Sequence, residues 1–299
     1  MLTFYQTDDK IVNITKNNKN VGGIYYKSQE DINKTSKYQC KYCLRQFIRS
    51  DNFKTHLITC KSKLSHEREM QTQSYFKEMK VPNGREEIFE LAFPLAKDER
   101  LVIFICGRNG SGKSTFIAKI LKNYLKVYKN RKIILFSLQE YDDKLDPYFN
   151  NIQRVDLGPE FAENPYTLDE LRNSICIFDD VDTITDKKLK KAVFDLKDNI
   201  MKQGRGHFNS EDRTDDIDII ISNHDILGGK ETQTMIRESI FYVIFPKGST
   251  PAQIETLCKK YAGLKKEDIE RIRNSTSRAV MIHTSHPGYV LSEKEIFLT

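Results

Sequence analysis

Residues 101–115 read Leu101-Val102-Ile103-Phe104-Ile105-Cys106-Gly107-Arg108-Asn109-Gly110-Ser111-Gly112-Lys113-Ser114-Thr115, and this stretch decides the fold. Its first six residues are apolar without interruption, as in a strand buried on both faces. Gly107 then opens the pattern Gly-x-x-x-x-Gly-Lys-Ser, a complete P-loop signature. The glycines let successive backbone N–H groups from Gly107, Arg108, Asn109, Gly110, Ser111 and Gly112 turn inward around phosphate oxygens. Lys113 is expected to reach the β- and γ-phosphates and the Ser114 hydroxyl to ligate Mg²⁺. From Thr115 onward the chain reads as a helix whose positive end faces the same phosphates.

Downstream, Lys132–Ser137 predicts a second buried strand, and the segment from Leu138 to Arg172 reads as irregular. Ser174-Ile175-Cys176-Ile177-Phe178-Asp179-Asp180 is an apolar strand ending in two acids, the form of a Walker B element. Asp179 is placed to hold Mg²⁺ opposite Ser114, and Asp180 to polarise the attacking water as general base. Asp186–Gln203 predicts an amphipathic helix with Leu189, Val193, Leu196 and Ile200 on one face. The lysines at its start (187, 188, 190 and 191) suit either a solvated face or a DNA-facing one. A third apolar run, Asp218–His224, ends in a polar pair from which Asn223 is the candidate contact to γ-phosphate and water. The alternation of strands and helices gives an α/β P-loop NTPase with a mainly parallel, helix-flanked sheet of RecA-like type. ATP is the expected nucleotide, since no Asn/Thr-Lys-x-Asp guanine-reading motif is present.

Upstream, Cys40-x-x-Cys43 is followed after twelve residues by His56 and then by Cys60. His56 and Cys60 are four apart and project from one face of a helix. Phe47 and Phe53 fall where a small ββα core must lie. The stretch resembles the Cys₂His₂ zinc-finger family with Cys60 as the fourth ligand, which implies one bound Zn²⁺. That resemblance puts Arg49, Asn52 and Thr55 at base-facing positions, while docking to a protein stays open. The divisions expected are a flexible tail over 1–36, with a short strand at Gly23–Tyr26, the finger over 37–63, a linker over 64–85 and the ATPase domain over 86–299.

The net charge of +6 is carried by the finger: Lys37 to Lys63 holds seven Lys/Arg against Asp51 alone. A polyanion is its expected partner. No run of 18 apolar residues is present, so no membrane insertion is expected. Met1–Asn20 lacks the apolar region of a signal peptide. The six cysteines read as metal ligands and buried thiols rather than disulfides.

The order P-loop, Asp179-Asp180 strand, Gly204-Arg205-Gly206-His207, then Ile219-Ile220-Ile221-Ser222-Asn223-His224 resembles the packaging ATPases of poxviruses and other large nucleocytoplasmic DNA viruses, within the FtsK/HerA group. Phe241–Pro246, the helical Thr250–Lys260, Tyr261-Ala262-Gly263-Leu264 and a terminal hairpin from Ser277–His283 to Pro287–Val290 continue the similarity. The family's glutamine-type sensor is here Asn223. The resemblance implies an ATP-driven motor on double-stranded DNA, assembled as a homo-oligomeric ring, with a capsid or portal-vertex protein as a further partner. It implies a place in the virion or the cytoplasm of an infected host cell. It also implies an arginine supplied by the neighbouring subunit, for which Arg205 is the first candidate and Arg278 the second. A nucleotide or nucleic-acid kinase and a zinc-finger nucleotide sensor are the alternatives.

Overall fold

In the computed structural model the described residues are 2–3, 10–26, 38–39, 46–47, 78–80, 87–95, 99–147, 149–150, 152–206, 216–226 and 230–299. The early strands are β1 (Leu2–Thr3), β2 (Lys10–Lys16), β3 (Lys19–Tyr26), β4 (Tyr38–Gln39), β5 (Gln46–Phe47), β6 (Glu78–Lys80) and β7 (Glu87–Leu91). The apolar run after Leu101 is β8 (Val102–Cys106), and the predicted helix is α1 (Lys113–Val127). Then follow β9 (Lys132–Ser137), β10 (Ile152–Val155), α2 (Pro159–Glu163), β11 (Ser174–Asp179), α3 (Lys187–Gln203) and β12 (Ile217–Asn223). The remainder is α4 (Lys230–Glu238), β13 (Phe241–Ile244), α5 (Pro251–Glu255), α6 (Lys266–Arg273), β14 (Val280–His283), β15 (Tyr289–Ser292) and β16 (Glu295–Leu298).

The main sheet runs β10-β9-β11-β12-β8-β13-β14-β15-β16-β6. It is parallel from β10 to β13 and antiparallel beyond. β8 lies between β12 and β13, with one core packed on each face of the sheet, which is why its sequence shows no alternation. One face carries Val102, Phe104 and Cys106 into a core with Leu189, Val193, Leu196 and Ile200 of α3. The other carries Ile103 and Ile105 against Ile117, Ile120, Leu121 and Tyr124 of α1. Each such aliphatic side chain contributes about 1.5–3 kcal/mol when fully buried. At the N-terminal end of β12, Asp218 accepts hydrogen bonds from Leu101 N (2.8 Å), Tyr124 Oη (2.5 Å) and the buried Arg131. This fixes α1, β8 and β12 to one another below the loop.

Residues 10–26 correct the flexible-tail expectation. β2 and β3 form an antiparallel pair, and β2 also pairs with β7 across Val12↔Leu91 to Lys16↔Glu87. Asn17 and Asn18 both adopt positive φ (49° and 61°), which gives the two-residue turn the twist a hairpin needs. Ile11, Val12, Ile14 and Ile24 are buried in the same core as α1. Within the expected linker, Glu78–Lys80 is a strand paired with β16 at the sheet edge. The segment 138–172, expected to be irregular, contains β10 and α2. The predicted helix at Asp186–Gln203 is present as α3, with Asp186 Oδ1 accepting from Leu189 N at 2.8 Å as its N-cap. Cys40, Cys43, His56 and Cys60 lie outside the described residues. Around them only the backbone pairing Tyr38↔Phe47 and Gln39↔Gln46 of β4 and β5 is described.

Candidate nucleotide site

Three neighbouring strands end side by side. β12 pairs with β8 so that Asn223 lies opposite Cys106, and β11 pairs with β12 so that Asp179 lies opposite Ser222. The P-loop, the two acids and the polar pair Asn223-His224 therefore meet along the C-terminal edge of the parallel strands, where open α/β sheets bind ligands.

The loop is anchored by backbone contacts from both sides. Gly107 N donates to Asn223 O (3.3 Å) and Arg108 N to Gly248 O (3.2 Å), while Ser249 Oγ donates to Cys106 O (3.2 Å). A Cβ at Gly107 would lie 2.5 Å from Ser111 Oγ and 2.7 Å from Phe245 Cδ2, so only glycine fits this close approach. Gly112 caps α1 with φ 103°, in the left-handed region that L side chains avoid. Ser114 and Thr115 follow Lys113 in the first turn of α1. Arg108 and Asn109 are exposed at the loop's tip.

Lys113 is buried and makes three contacts. Its Nζ donates to Gly107 O (3.1 Å), lies 3.2 Å from Asp180 Oδ1 and lies 3.2 Å from His224 Nδ1. An ammonium has no lone pair to accept with, so Nδ1 must be the acceptor and the His224 proton sits on Nε2. That Nε2 is 3.0 Å from Asp180 Oδ2, the second oxygen of the same carboxylate. His224 is held at both backbone atoms, its N donating to Asp182 Oδ2 (3.1 Å) and its O accepting from Gln253 Nε2 (2.8 Å). Asp180 has φ 51°, and its N donates to Ser222 O at 2.9 Å.

Asp179 is 4% exposed, and among the described residues its Oδ1 meets no hydrogen-bond partner. Burial, and after it the neighbouring Asp180 charge, push its carboxyl up to about 6. Both amide atoms of the fully buried Asn223, Ser111 Oγ and Asp182 Oδ1 also lack partners among the described residues. Buried polar atoms are normally paired, so such a cluster at strand ends marks a place built for a polar ligand. An orphaned carboxylate oxygen beside a serine-headed P-loop helix suits a hard divalent cation with oxygen ligands. Mg²⁺ therefore fits Ser114 and Asp179.

The expected residues Gly107–Thr115, Asp179, Asp180 and Asn223 are thus brought together. Arg205 is not. It is exposed beside Gly204, whose O accepts from Ile217 N, at the far end of β12 from Asn223. That separation is about 20 Å by strand rise. Arg278 instead borders a cavity next to the loop. His224, Asp182 and Gln253 were not legible as site residues. The run IIISNH contains His224, yet its role depends on which strands end beside it.

Among the described residues no helix is long and apolar enough to cross a membrane. The "Uncharacterized protein V3" of Sputnik virophage is 30% identical over 203 residues, spanning 65% of this chain and 75% of that protein. The genome packaging NTPase B204 from Sulfolobus turreted icosahedral virus 2, solved with AMPPCP, is 14% identical with a TM-score of 0.41 over 66% of this chain and 98% of that one. The pCW3 conjugation coupling protein TcpA, solved with ATPγS, is 13% identical with a TM-score of 0.42 over 75% of this chain and 66% of that one. The KAP family P-loop domain matches residues 85–282, which hold the P-loop, both acids and the His224 strand. Where the motif order resembles the FtsK/HerA group, the family that matches is this one: the chain is a P-loop NTPase of the KAP family.

Proposed function

We propose that the chain is an ATP-hydrolysing motor that moves double-stranded DNA and packages a viral genome into a capsid. The observation that carries the hydrolytic half is the Lys113–Asp180–His224 arrangement beside the orphaned Asp179 carboxylate. Lys113 stabilises charge developing on the transferred phosphoryl group once phosphates draw it from Asp180. Asp180, freed on one oxygen and still held by His224 Nε2 on the other, takes the proton of the attacking water. Asn223 offers an unpaired amide toward the same region and is the reading's γ-phosphate contact. Ser114 and Asp179 hold Mg²⁺, which when bound neutralises phosphate charge.

The DNA half is supported by the motif order from Gly107 to the terminal hairpin and by the +6 charge concentrated between Lys37 and Lys63. The virophage relative agrees with a viral setting. In a ring of identical subunits, Arg205 projects from the end of the sheet away from its own P-loop and completes the neighbour's site. Cys40, Cys43, His56 and Cys60 hold one Zn²⁺, a reading supported by their spacing and by the β4–β5 pairing that brackets the two cysteines. Metal analysis should return one zinc per chain, and the Cys40→Ser, Cys43→Ser double variant should return none. Capsid or portal-vertex proteins are the remaining expected partners.

The test is turnover of ATP with and without duplex DNA. A translocating motor speeds up several-fold on DNA. A rate that DNA leaves unchanged, but that a phosphoryl acceptor raises, makes the chain a kinase. Binding without turnover makes it a nucleotide sensor.

A further inference from the structure

The first five residues of α3 are Lys187-Lys188-Leu189-Lys190-Lys191. Only Leu189 turns into the core, and Lys187, Lys188 and Lys191 are exposed. Such a start works against the helix. A helix N-terminus carries partial positive charge, so acids stabilise it and cations do not. Yet the first turn of α3 holds no acid. Nearby carboxylates are engaged elsewhere: Asp186 accepts from Leu189 N as the N-cap, and Asp198 pairs with Lys202 at 3.0 Å. Among the described residues no carboxylate lies within ion-pair distance of the three exposed lysines. Outside residues 37–63 the charges of the chain sum to zero, so four cations in five residues are a local concentration and not a share of a general excess.

This patch is joined to the nucleotide site. α3 follows β11, whose end carries Asp179 and Asp180, through a short 3-10 turn at Val181–Thr183. Lys190 Nζ donates to Asp182 O (3.4 Å), and Asp182 Oδ2 accepts from His224 N (3.1 Å). His224 Nε2 in turn lies 3.0 Å from Asp180 Oδ2. We propose that the lysines opening α3 grip the phosphate backbone of duplex DNA, and that Lys190 passes this contact through Asp182 and His224 to Asp180. The inference rests on the DNA-motor reading above and gives the ATPase domain a DNA contact of its own, separate from residues 37–63. Lysines act as point charges on phosphates and make no demand on base sequence. That indifference suits a protein that must move along DNA of any sequence. A phosphate that draws Lys190 away competes with Asp182 O, which loosens the turn that positions His224 and, through it, the Asp180 carboxylate.

The experiment measures binding of a fluorescent duplex of mixed sequence over a range of salt, and ATP turnover with and without that duplex. It uses the full chain as wild type, as the triple variant Lys187→Glu, Lys188→Glu, Lys191→Glu, and as the matching triple arginine variant. Lys190 stays in place because it holds Asp182. Glutamate suits a helix N-terminus, so the first variant keeps α3. Each lost phosphate contact lowers the slope of log affinity against log salt by about 0.9, so the glutamate variant's slope should fall by roughly 2 to 3. Its DNA-free turnover should stay within about twofold of wild type while the increase on DNA disappears, and the arginine variant should keep both slope and increase. An unchanged slope in the glutamate variant leaves the patch to an acidic protein or to solvent and overturns the assignment while the motor reading stands. Stimulation that persists after the slope has fallen overturns the route through Lys190. An arginine variant that fails as the glutamate one does would show that charge is not what the patch supplies, which also overturns it. Wild type whose turnover DNA leaves unchanged removes the motor reading and this one with it.

Discussion

Lys113 Nζ lies 3.2 Å from Asp180 Oδ1, so the lysine that should neutralise phosphate and the acid that should activate water are paired with each other. Lys113 is 6% exposed and the Asp180 side chain 19%, which keeps solvent from screening the pair. An incoming triphosphate must break this contact, and the interaction it gains is reduced by the one that is lost.

Asp180→Asn should therefore bind ATP more tightly than wild type while turning it over at least about 10²-fold more slowly, the usual range for losing a general base. Equilibrium titration and phosphate release measure the two quantities separately. Affinity and turnover falling together would contradict the pairing argument.

His224 holds Asp180 and accepts from Lys113 through opposite ring nitrogens. Glutamine can also accept with one amide atom and donate with the other. His224→Gln should keep turnover within about tenfold of wild type, whereas His224→Ala should lose about 10²-fold or more in kcat with little change in KM. Equal losses in the two variants would show that histidine is needed for something other than this bridge.

Burial raises the Asp179 carboxyl above its ordinary value of 3.8 to about 6. Between those values the folded protein binds more protons than the unfolded chain, so this group makes stability fall as pH rises from about 4 to 6. In Mg²⁺-free buffer, Asp179→Asn should be more stable than wild type at pH 8, by on the order of 2 to 3 kcal/mol, and nearly equal to it at pH 4. Denaturant titrations at both pH values check the sign, and a gap that widens on acidification would contradict it.

Mixing Lys113→Ala with Arg205→Ala, each inactive alone, should restore part of the ATPase rate if one subunit's arginine serves the next subunit's loop. Such arginines are worth roughly 10³–10⁵ in rate in well-studied P-loop enzymes. A mixture that stays inactive removes Arg205 from the mechanism.

Away from the site, Asp218→Ala should cost about 3–5 kcal/mol, because the buried Arg131 loses its carboxylate and keeps its charge. Tyr124 Oη and Leu101 N lose their acceptor in the same step. Thermal unfolding would register the change, and an effect under about 1 kcal/mol would mean that water compensates the cluster.

The strand ends that meet at the candidate site were legible because each is a run of consecutive residues. Leu101–Thr115 and Ser174–Asp180 each place a buried strand directly before the polar residues expected at the site. The strands at 10–26 were hidden for a physical reason. Register shifts between Lys10 and Val12 and between Ile14 and Thr15 break the period-of-two pattern in β2, leaving two adjacent buried pairs, Ile11-Val12 and Ile14-Thr15. In β6 only Met79 is buried, and a single apolar residue makes no pattern. His224 escaped notice because its partners, Lys113 and Asp180, come from two other strand ends. No local spacing records that meeting.

The core that joins Ile11, Val12 and Ile14 to Tyr289, Leu291 and Ile296 has a consequence for how the protein is made. Phe89 N donates to Glu293 O, tying β7 to the turn after β15 across two hundred residues of chain. During synthesis the apolar face of β2 emerges long before residues 289–298, which complete the core it belongs to. Part of the cover of this core is missing until residues 289–298 leave the ribosome, and contacts this far apart in sequence form slowly. Newly made chains are thus exposed to aggregation or chaperone capture until their last strands arrive.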